Sequence, residues 1–277
     1  MTKKELRKLL ENKPGYIKGW SAVNIANRFD MNLLTVRGVI KEVKADMQYA
    51  NTVKVVTAGR DKNNVLVIGD LHEPFCLPEY LNFCKRQQIK HNCGTVIFIG
   101  DVVDNHYSSY HETSNQAMGA NQELKVAKRK IKAWYKAFPN ATVLIGNHDR
   151  LVARKAQTAG IADEWIRSYS EVLDTPGWTF THAIEVHGIM YTHGEGGTAR
   201  KKMKDEHQSQ VGGHLHSQAY VEWSVGTNHR HFGMQVGCGI DHNSYAMAYG
   251  RSFKKPVISC GVVLNKGTFP MVIPMDL

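Results

Sequence analysis

The sequence predicts an α/β protein built around a parallel sheet and preceded by a small helical head. Three observations carry that expectation. Short apolar runs at 65–69, 95–99 and 142–145 alternate with helical patterns around 78–90, 120–137 and 150–171, as parallel strands joined by helical crossovers do. Each run leads to a glycine and then turns polar, in VLVIGDLH (65–72), TVIFIGDVVD (95–104) and TVLIGNHD (142–149). The first 60 residues also differ from the rest in charge: they hold 12 Lys/Arg against 5 Asp/Glu, a net of +7 out of +10 for the whole chain.

Length and composition limit the alternatives. A chain of 277 residues can form one large domain or a large one beside a small one, and the charge step divides it into 1–60 and 61–277. No apolar run approaches the roughly 20 residues needed to span a bilayer, so no membrane partner is expected. The charged start, MTKKELRKLLENK, does not look like a secretory signal. The five cysteines, at 76, 84, 93, 238 and 260, are odd in number and form no CxxC pair, which reads as reduced thiols in a cytoplasmic protein. The basic head points to an anionic partner, although basic surface also serves solubility. Oligomeric state leaves no signal.

In the head, Thr2-Lys3-Lys4-Glu5 fits a capping box ahead of a short helix with Leu6, Leu9 and Leu10 on one face, ended by Pro14-Gly15. Ser21 fits the cap of a second helix with Val23, Ile25 and Ala26 inward. After a break at Asp30-Met31-Asn32, a third helix spaces Leu33, Val36, Ile40 and Val43 by three and four residues. These blocks resemble a helix-turn-helix unit, with Ala26 at the helix crossing and Asp30 where the turn usually has glycine. Asn32, Thr35, Arg37 and Lys41 are side chains of the types that reach base edges and phosphates, which makes DNA the expected partner. The same pattern suits a helical subdomain that docks on its neighbour or on another protein. TVKVVTA (52–58) reads as a strand of a small wing and GRDKNN (59–64) as a linker.

Beyond residue 176 the chain turns strand-rich. WTFTHAIEV (178–186) and GIMYTHG (188–194) suggest a hairpin; runs at 210–225, 231–238 and 257–273 follow, the last with a turn at Asn265-Lys266-Gly267.

Reactive groups gather beyond the carboxyl ends of parallel strands, so Asp70, His72, Asp101, Asn147 and His148 should meet in space. Gly69, Gly100 and Gly146 would allow the sharp turn and close approach this needs. The second half adds His193 at a strand end and His214 and His216 in GGHLH. Residues two apart share a side of an extended chain, so Asp70 and His72 can reach one ion and His214 and His216 can face one site. Asp70, His72, Asp101, Asn147, His193, His214 and His216 exceed the needs of one ion and suit two if a carboxylate, most simply Asp101, bridges them. Imidazole and oxygen donors without thiolate favour two divalent ions, Mn²⁺ first, with Fe, Zn, Ni or Co as alternatives. Asp104 reads as support rather than ligand, Asp149 as the carboxylate that orients His148, and His106 and His111 as residues lining the cleft.

In this order, Asp70-Leu71-His72, Gly100-Asp101-Val102-Val103-Asp104, Gly146-Asn147-His148-Asp149, His193 and Gly213-His214-Leu215-His216 resemble the calcineurin-like metallophosphoesterase family over roughly 65–220. The resemblance implies two facing β-sheets flanked by helices. It implies that Asp70, His72, Asp101 and His216 hold one ion, and Asp101, Asn147, His193 and His214 the other. It also implies that His148 binds phosphate and helps the leaving group depart. Two divalent ions, two carboxylates and a bridging hydroxide leave the site about one unit positive, suited to drawing in a phosphate whose phosphorus the metal-bound hydroxide attacks in line. His148 and Asp149 are the catalytic candidates, His148 as the acid. His193-Gly194-Glu195-Gly196-Gly197 would offer backbone N–H groups near the phosphate.

The family hydrolyses monoesters and diesters alike. Its protein Ser/Thr phosphatases carry an Arg after GDxxD and another before GNH, where this chain has Asn105-His106 and Ile145. SbcD-type nucleases share the ligand set, and a basic head beside it makes a DNA phosphodiester the leading substrate. The alternatives are a phosphomonoesterase or small-molecule phosphodiesterase whose head binds a partner, and a DNA-binding regulator with a degenerate metal site.

Overall fold

The computed structural model describes residues 1–12, 21–55, 60–110, 115, 117–245 and 254–276, and the backbone alone within 45–55. The chain forms two compact units, Met1–Gly59 and Arg60–Leu277. Among the described residues no helix is long and apolar enough to cross a membrane.

The smaller unit is helical. In α1 (Lys3–Asn12) the capping box is formed: Glu5 N donates to Thr2 Oγ1 at 3.2 Å and Thr2 N to Glu5 Oε2 at 2.8 Å. Ser21 caps α2 (Ala22–Phe29), its Oγ accepting from Asn24 N at 3.1 Å. Asp30 ends α2 in the left-handed conformation, φ 48°, a role that Asp fills better than most residues. Leu6, Leu10, Ile25, Ala26, Val36, Val39 and Val43 make the core. Three expectations change here. Val23 is 44% exposed, because Ala22, Ile25, Ala26 and Phe29 share the inward stripe and Val23 falls off it. Val39 is buried where Ile40 was expected, and Ile40 packs at its margin. In place of a wing strand, residues 52–55 continue α3 (Leu33–Val55), which no proline interrupts. Pro14-Gly15 and residues 56–58 lie outside the described residues.

The larger unit is a two-sheet sandwich. β1 (Asp61–Ile68), β2 (Cys93–Phe98), β3 (Ala141–Leu144) and β4 (Trp178–Thr181) pair in parallel. β10 (Ser259–Leu264) pairs antiparallel to β1 and β11 (Phe269–Pro274) antiparallel to β10, which completes this sheet in the order β11-β10-β1-β2-β3-β4. β1 starts at Asp61, so most of GRDKNN is strand and not linker. The second sheet has the order β5-β6-β7-β9-β8, from β5 (Ala183–Val186), β6 (Ile189–Thr192), β7 (Ser209–Gly212), β8 (Tyr220–Gly226) and β9 (His229–Gln235). WTFTHAIEV is therefore two strands rather than one: Thr181 pairs with Leu144 in the first sheet, and Ala183 pairs with Thr192 in the second. The hairpin is β5–β6 alone.

The apolar alternation of β1 explains the layering. Val65 and Val67 point between the sheets, with Ile97, Ile99 and Leu144 meeting Tyr191, Val211, Phe232 and Met234. Leu66 and Ile68 point the other way, toward α4 (Tyr80–Lys90) and α5 (Ala120–Ala137), which contribute Tyr80, Phe83, Ile131 and Trp134. With both faces covered, β1, β2 and β3 are apolar over the stretches that lie in the core, 65–68, 96–98 and 143–144, and turn polar where they leave it. α6 (Leu151–Thr158), α7 (Tyr169–Leu173) and α8 (Ala199–Glu206) lie on the connections. All five cysteines are free and buried.

Candidate metal centre

The strand ends place their polar residues at one point. Three overlapping groups offer ligand atoms within 4.8 Å of one another: Asp70, His72 and His216; His72, Asp101 and His148; Asp101, His193 and His214. Asn147 joins them, its Oδ1 3.0 Å from His193 Nε2. All seven side chains read as ligands from the sequence therefore lie together, with His148 beside them.

The backbone reaches this arrangement by a route the spacing did not suggest. His72, Asp101 and His214 have φ of 50°, 48° and 68°, in the left-handed region. The i, i+2 pairs are thus not extended segments. In 213–216, Leu215 N donates to Gly213 O at 2.7 Å and His216 N to His214 O at 3.2 Å, a tight double turn. That turn separates the two histidines: His216 meets Asp70 and His72, whereas His214 meets Asp101 and His193. Glycine is required where the loops touch. A Cβ on Gly146 would lie 2.6 Å from the backbone nitrogen of Asp101, and Gly100, at φ +120°, packs against the His193 ring.

Hydrogen bonds leave the facing atoms free. His72 Nδ1 donates to Asp104 Oδ1 at 2.6 Å, so its Nε2 lone pair points to His216 Nε2 at 3.1 Å and Asp101 Oδ2 at 3.6 Å. His193 Nδ1 donates to Ile99 O at 3.0 Å, which turns its Nε2 toward Asp101 Oδ2 at 3.2 Å. Asp101 Oδ1 accepts from His148 N at 2.8 Å, and Asp70 Oδ2 from His214 N at 2.9 Å. The remaining oxygens, Asp101 Oδ2 and Asp70 Oδ1, are buried without a hydrogen-bond partner. Lone pairs thus converge in a buried place, which is costly unless a cation or proton lies between them.

The titration behaviour follows. Burial opposes charge on Asp101, yet the imidazoles of His193, His148 and His72 hold its carboxyl well below the usual range. Burial likewise opposes charge on His193, but Asp101 beside it raises its pKa to about 10. Burial, then neighbouring His148, lowers the pKa of His72 despite its bond to Asp104. For His148 the burial penalty is outweighed by Asp101 and Asp104, and its pKa is raised.

Asp149 does not orient His148. Its Oδ1 accepts from Val103 N at 3.2 Å and its Oδ2 from Gly146 N at 2.9 Å, which ties the GDVVD and GNHD loops together. Burial, with Asp101 nearby, pushes its pKa up to about 7. His148 is oriented instead by Asp104, whose carbonyl accepts from Nδ1 at 2.7 Å. Glu123 went unnoticed in the sequence: from α5 it accepts from His106 N at 2.7 Å and Tyr107 N at 3.3 Å. One glutamate in a basic helix gives no local sign of that role. His106 is buried with Nδ1 3.9 Å from Asp104 Oδ2, and His111 lies outside the described residues. In the glycine-rich loop, Glu195 pairs with Arg150 Nη2 at 2.5 Å.

A histidine–carboxylate centre at the strand ends of a two-sheet sandwich defines the class of site. The family model described as calcineurin-like phosphoesterase matches residues 64–258, and the chain belongs to that family. Its core is the expected α/β sandwich of two sheets flanked by helices. Among solved structures, a single mutant of Vps29 from Entamoeba histolytica is similar at 13% identity and a TM-score of 0.36, covering 77% of this chain and 99% of its own. Vacuolar protein sorting 29 from Cryptosporidium parvum is similar at 13% identity and a TM-score of 0.36, covering 77% of this chain and 97% of its own. None of the curated proteins matches the chain.

The family binds divalent metals, and the donor set fits them. Unpartnered buried carboxylate oxygens, the His72 and His193 imidazoles with their far nitrogens fixed by acceptors, and the absence of thiolate from the clusters are the features of a hard-to-borderline cation site.

Proposed function

We propose that the chain is a dinuclear-metal phosphodiesterase that cleaves DNA. The observation that carries the metal-dependent chemistry is Asp101: one oxygen is held by His148 N–H, while the other is unpartnered between the ring nitrogens of His72 and His193. A carboxylate so placed suits bridging, with Asp70, His72 and His216 on one side and Asn147, His193 and His214 on the other. Bound there, two divalent ions such as Mn²⁺ supply Lewis acidity and a water that ionises near neutral pH. The chain's own residues supply the rest. Asp104 holds His148 by its carbonyl, and the Asp101 and Asp104 carboxylates favour its protonated form, the form that gives a proton to the departing alkoxide. Asp149 acts by position, keeping the two loops in register.

The DNA assignment is supported by the basic head. Arg37 and Lys41 are exposed on α3 and Thr35 is half-buried. Asn32 Oδ1 accepts from Leu34 N at 2.8 Å, so its side chain caps α3 while it is read as a base contact. The test is turnover with Mn²⁺ on single- and double-stranded DNA beside an alkyl monoester and a bis-aryl diester. DNA cleavage that disappears on chelation is expected. Hydrolysis confined to the monoester would replace the reading with a phosphomonoesterase, and no hydrolysis by fully metal-loaded protein would leave a binding protein. For the head, DNA affinity should fall steeply with salt.

A further inference from the structure

Next to His148 the surface carries two exposed rings and two cations. The loop after Asp104 forms a short 3-10 helix, His106–Ser108, which Glu123 pins by its backbone N–H groups. Tyr107 and Tyr110 stand on this loop, 53% and 58% exposed. Asn105 Nδ2 donates to His148 O at 3.0 Å and so joins the loop to the centre. On the other side, α6 starts three residues after His148 and holds Arg154 and Lys155 exposed, with no carboxylate in its sequence LVARKAQT. Arg154 Cζ lies 5.2 Å and Lys155 Nζ 5.6 Å from the centroid of the Tyr110 ring.

Exposed aromatic rings, with two cations that make no ion pair among the described residues, match one kind of phosphate ester. A small ester has no bases to stack, and a duplex hides the faces of its bases. Single-stranded nucleic acid offers both flat faces and regularly spaced phosphates. We propose that Tyr107, Tyr110, Arg154 and Lys155 form a stacking platform that holds single-stranded polynucleotide and leads it to the metal centre, an inference that rests on the phosphodiester reading above. Arg150 is not part of it, being paired with Glu195. Trp165, though exposed, follows Asp163 and Glu164, whose charge repels phosphate.

Anisotropy of a fluorescent oligo(dT) with the full-length, metal-free chain tests this. The Arg37→Ala/Lys41→Ala background lowers the head's share of binding. Tyr110→Ala, and separately Arg154→Ala/Lys155→Ala, should each weaken oligo(dT) binding about tenfold, within the range of one lost base stack. Trp165→Ala should leave it unchanged, and duplex of equal length should bind less tightly than oligo(dT). The platform is overturned if the unsubstituted surface fails to bind oligo(dT), if duplex binds better, or if both platform variants bind as the parent does. Parallel incubation with Mn²⁺ separates the two readings. Platform-dependent binding without cleavage upholds the platform and sinks the nuclease, whereas cleavage with variant-independent binding does the opposite.

Discussion

Asp104 belongs to none of the three ligand clusters, yet its removal should cost metal affinity. Its carboxylate accepts from His72 Nδ1 at 2.6 Å, with both residues 2% exposed or less. Asp104→Ala leaves that N–H unpartnered, a penalty of about 1–3 kcal/mol that His72 can escape by moving its proton to Nε2. The moved proton would cover the lone pair that faces Asp101 and His216. Loss of such a partner behind a ligand typically weakens metal binding by about 10–100-fold, or about 1.4–2.7 kcal/mol. The loss of affinity should act through His72, because the backbone carbonyl of residue 104 that positions His148 is kept by alanine, although removing the carboxylate also removes one of the charges that raise the His148 pKa. Asp104→Asn should retain affinity to within a few-fold, since an amide oxygen accepts the same bond. The assay is Mn²⁺ titration followed by the electron paramagnetic resonance of free ion, with circular dichroism to verify folding. Folded Asp104→Ala that binds Mn²⁺ like the parent, or Asp104→Asn as defective as Asp104→Ala, would refute the tautomer argument.

Asp101→Asn should lower the stoichiometry from two ions per chain to less than one, measured by elemental analysis after dialysis; two retained ions would exclude the bridge. His148→Ala should bind metal within a few-fold of the parent and lose about 10²–10⁴ in kcat on esters with alkoxide leaving groups, and less on nitrophenyl esters. Equal losses on both kinds of ester would remove the acid role. Metal binding should also be linked to pH. The raised pKa of His193, about 10, means the metal-free centre holds a proton at pH 8 that the ion must displace. Affinity should therefore rise with pH, by up to about tenfold per unit below that pKa, with about one proton released per chain. Calorimetry in buffers of different ionisation enthalpy reads that proton directly, and an enthalpy independent of buffer would contradict it.

The residues that assemble the centre were legible because their signal is local. Apolar strands that stop at Gly69, Gly100 and Gly146 mark where the core ends, and parallel pairing then puts Asp70, Asp101 and Asn147 on one edge. What was not legible depends on partners distant in sequence. The split of WTFTHAIEV rests on Thr181 pairing with Leu144 and Ala183 with Thr192, and nothing within those nine residues reveals two sheets. Pairing Asp149 with His148 followed from adjacency, whereas its real partners include Val103, 46 residues away. GRDKNN reads as linker by composition, but Asp61 pairs with Cys93 and Asn64 Nδ2 donates to His91 O at 3.1 Å, so the sheet overrides local propensity.

The left-handed residues show how the sandwich maintains such a centre. For a non-glycine residue this conformation costs roughly 1–2 kcal/mol, and His72, Asp101 and His214 all adopt it. Extended backbone at these positions would carry the chain past the sheet edge and point alternate side chains away from it. The turn lets Asp101 O accept from both Leu71 N at 3.1 Å and His72 N at 2.8 Å, so the two metal loops are bonded by backbone before any ion arrives. The side-chain oxygens add cross-links of the same kind, Asp70 to His214 N and Asp101 to His148 N. Asp101 thereby uses one oxygen to fix a neighbouring loop and keeps the other free, whereas Asp70 Oδ2 both fixes its loop and faces His216 Nε2 at 3.1 Å. The strain and its compensation lie in the same few residues, which ties the geometry of the donors to the integrity of the strand ends rather than to the ions they would hold.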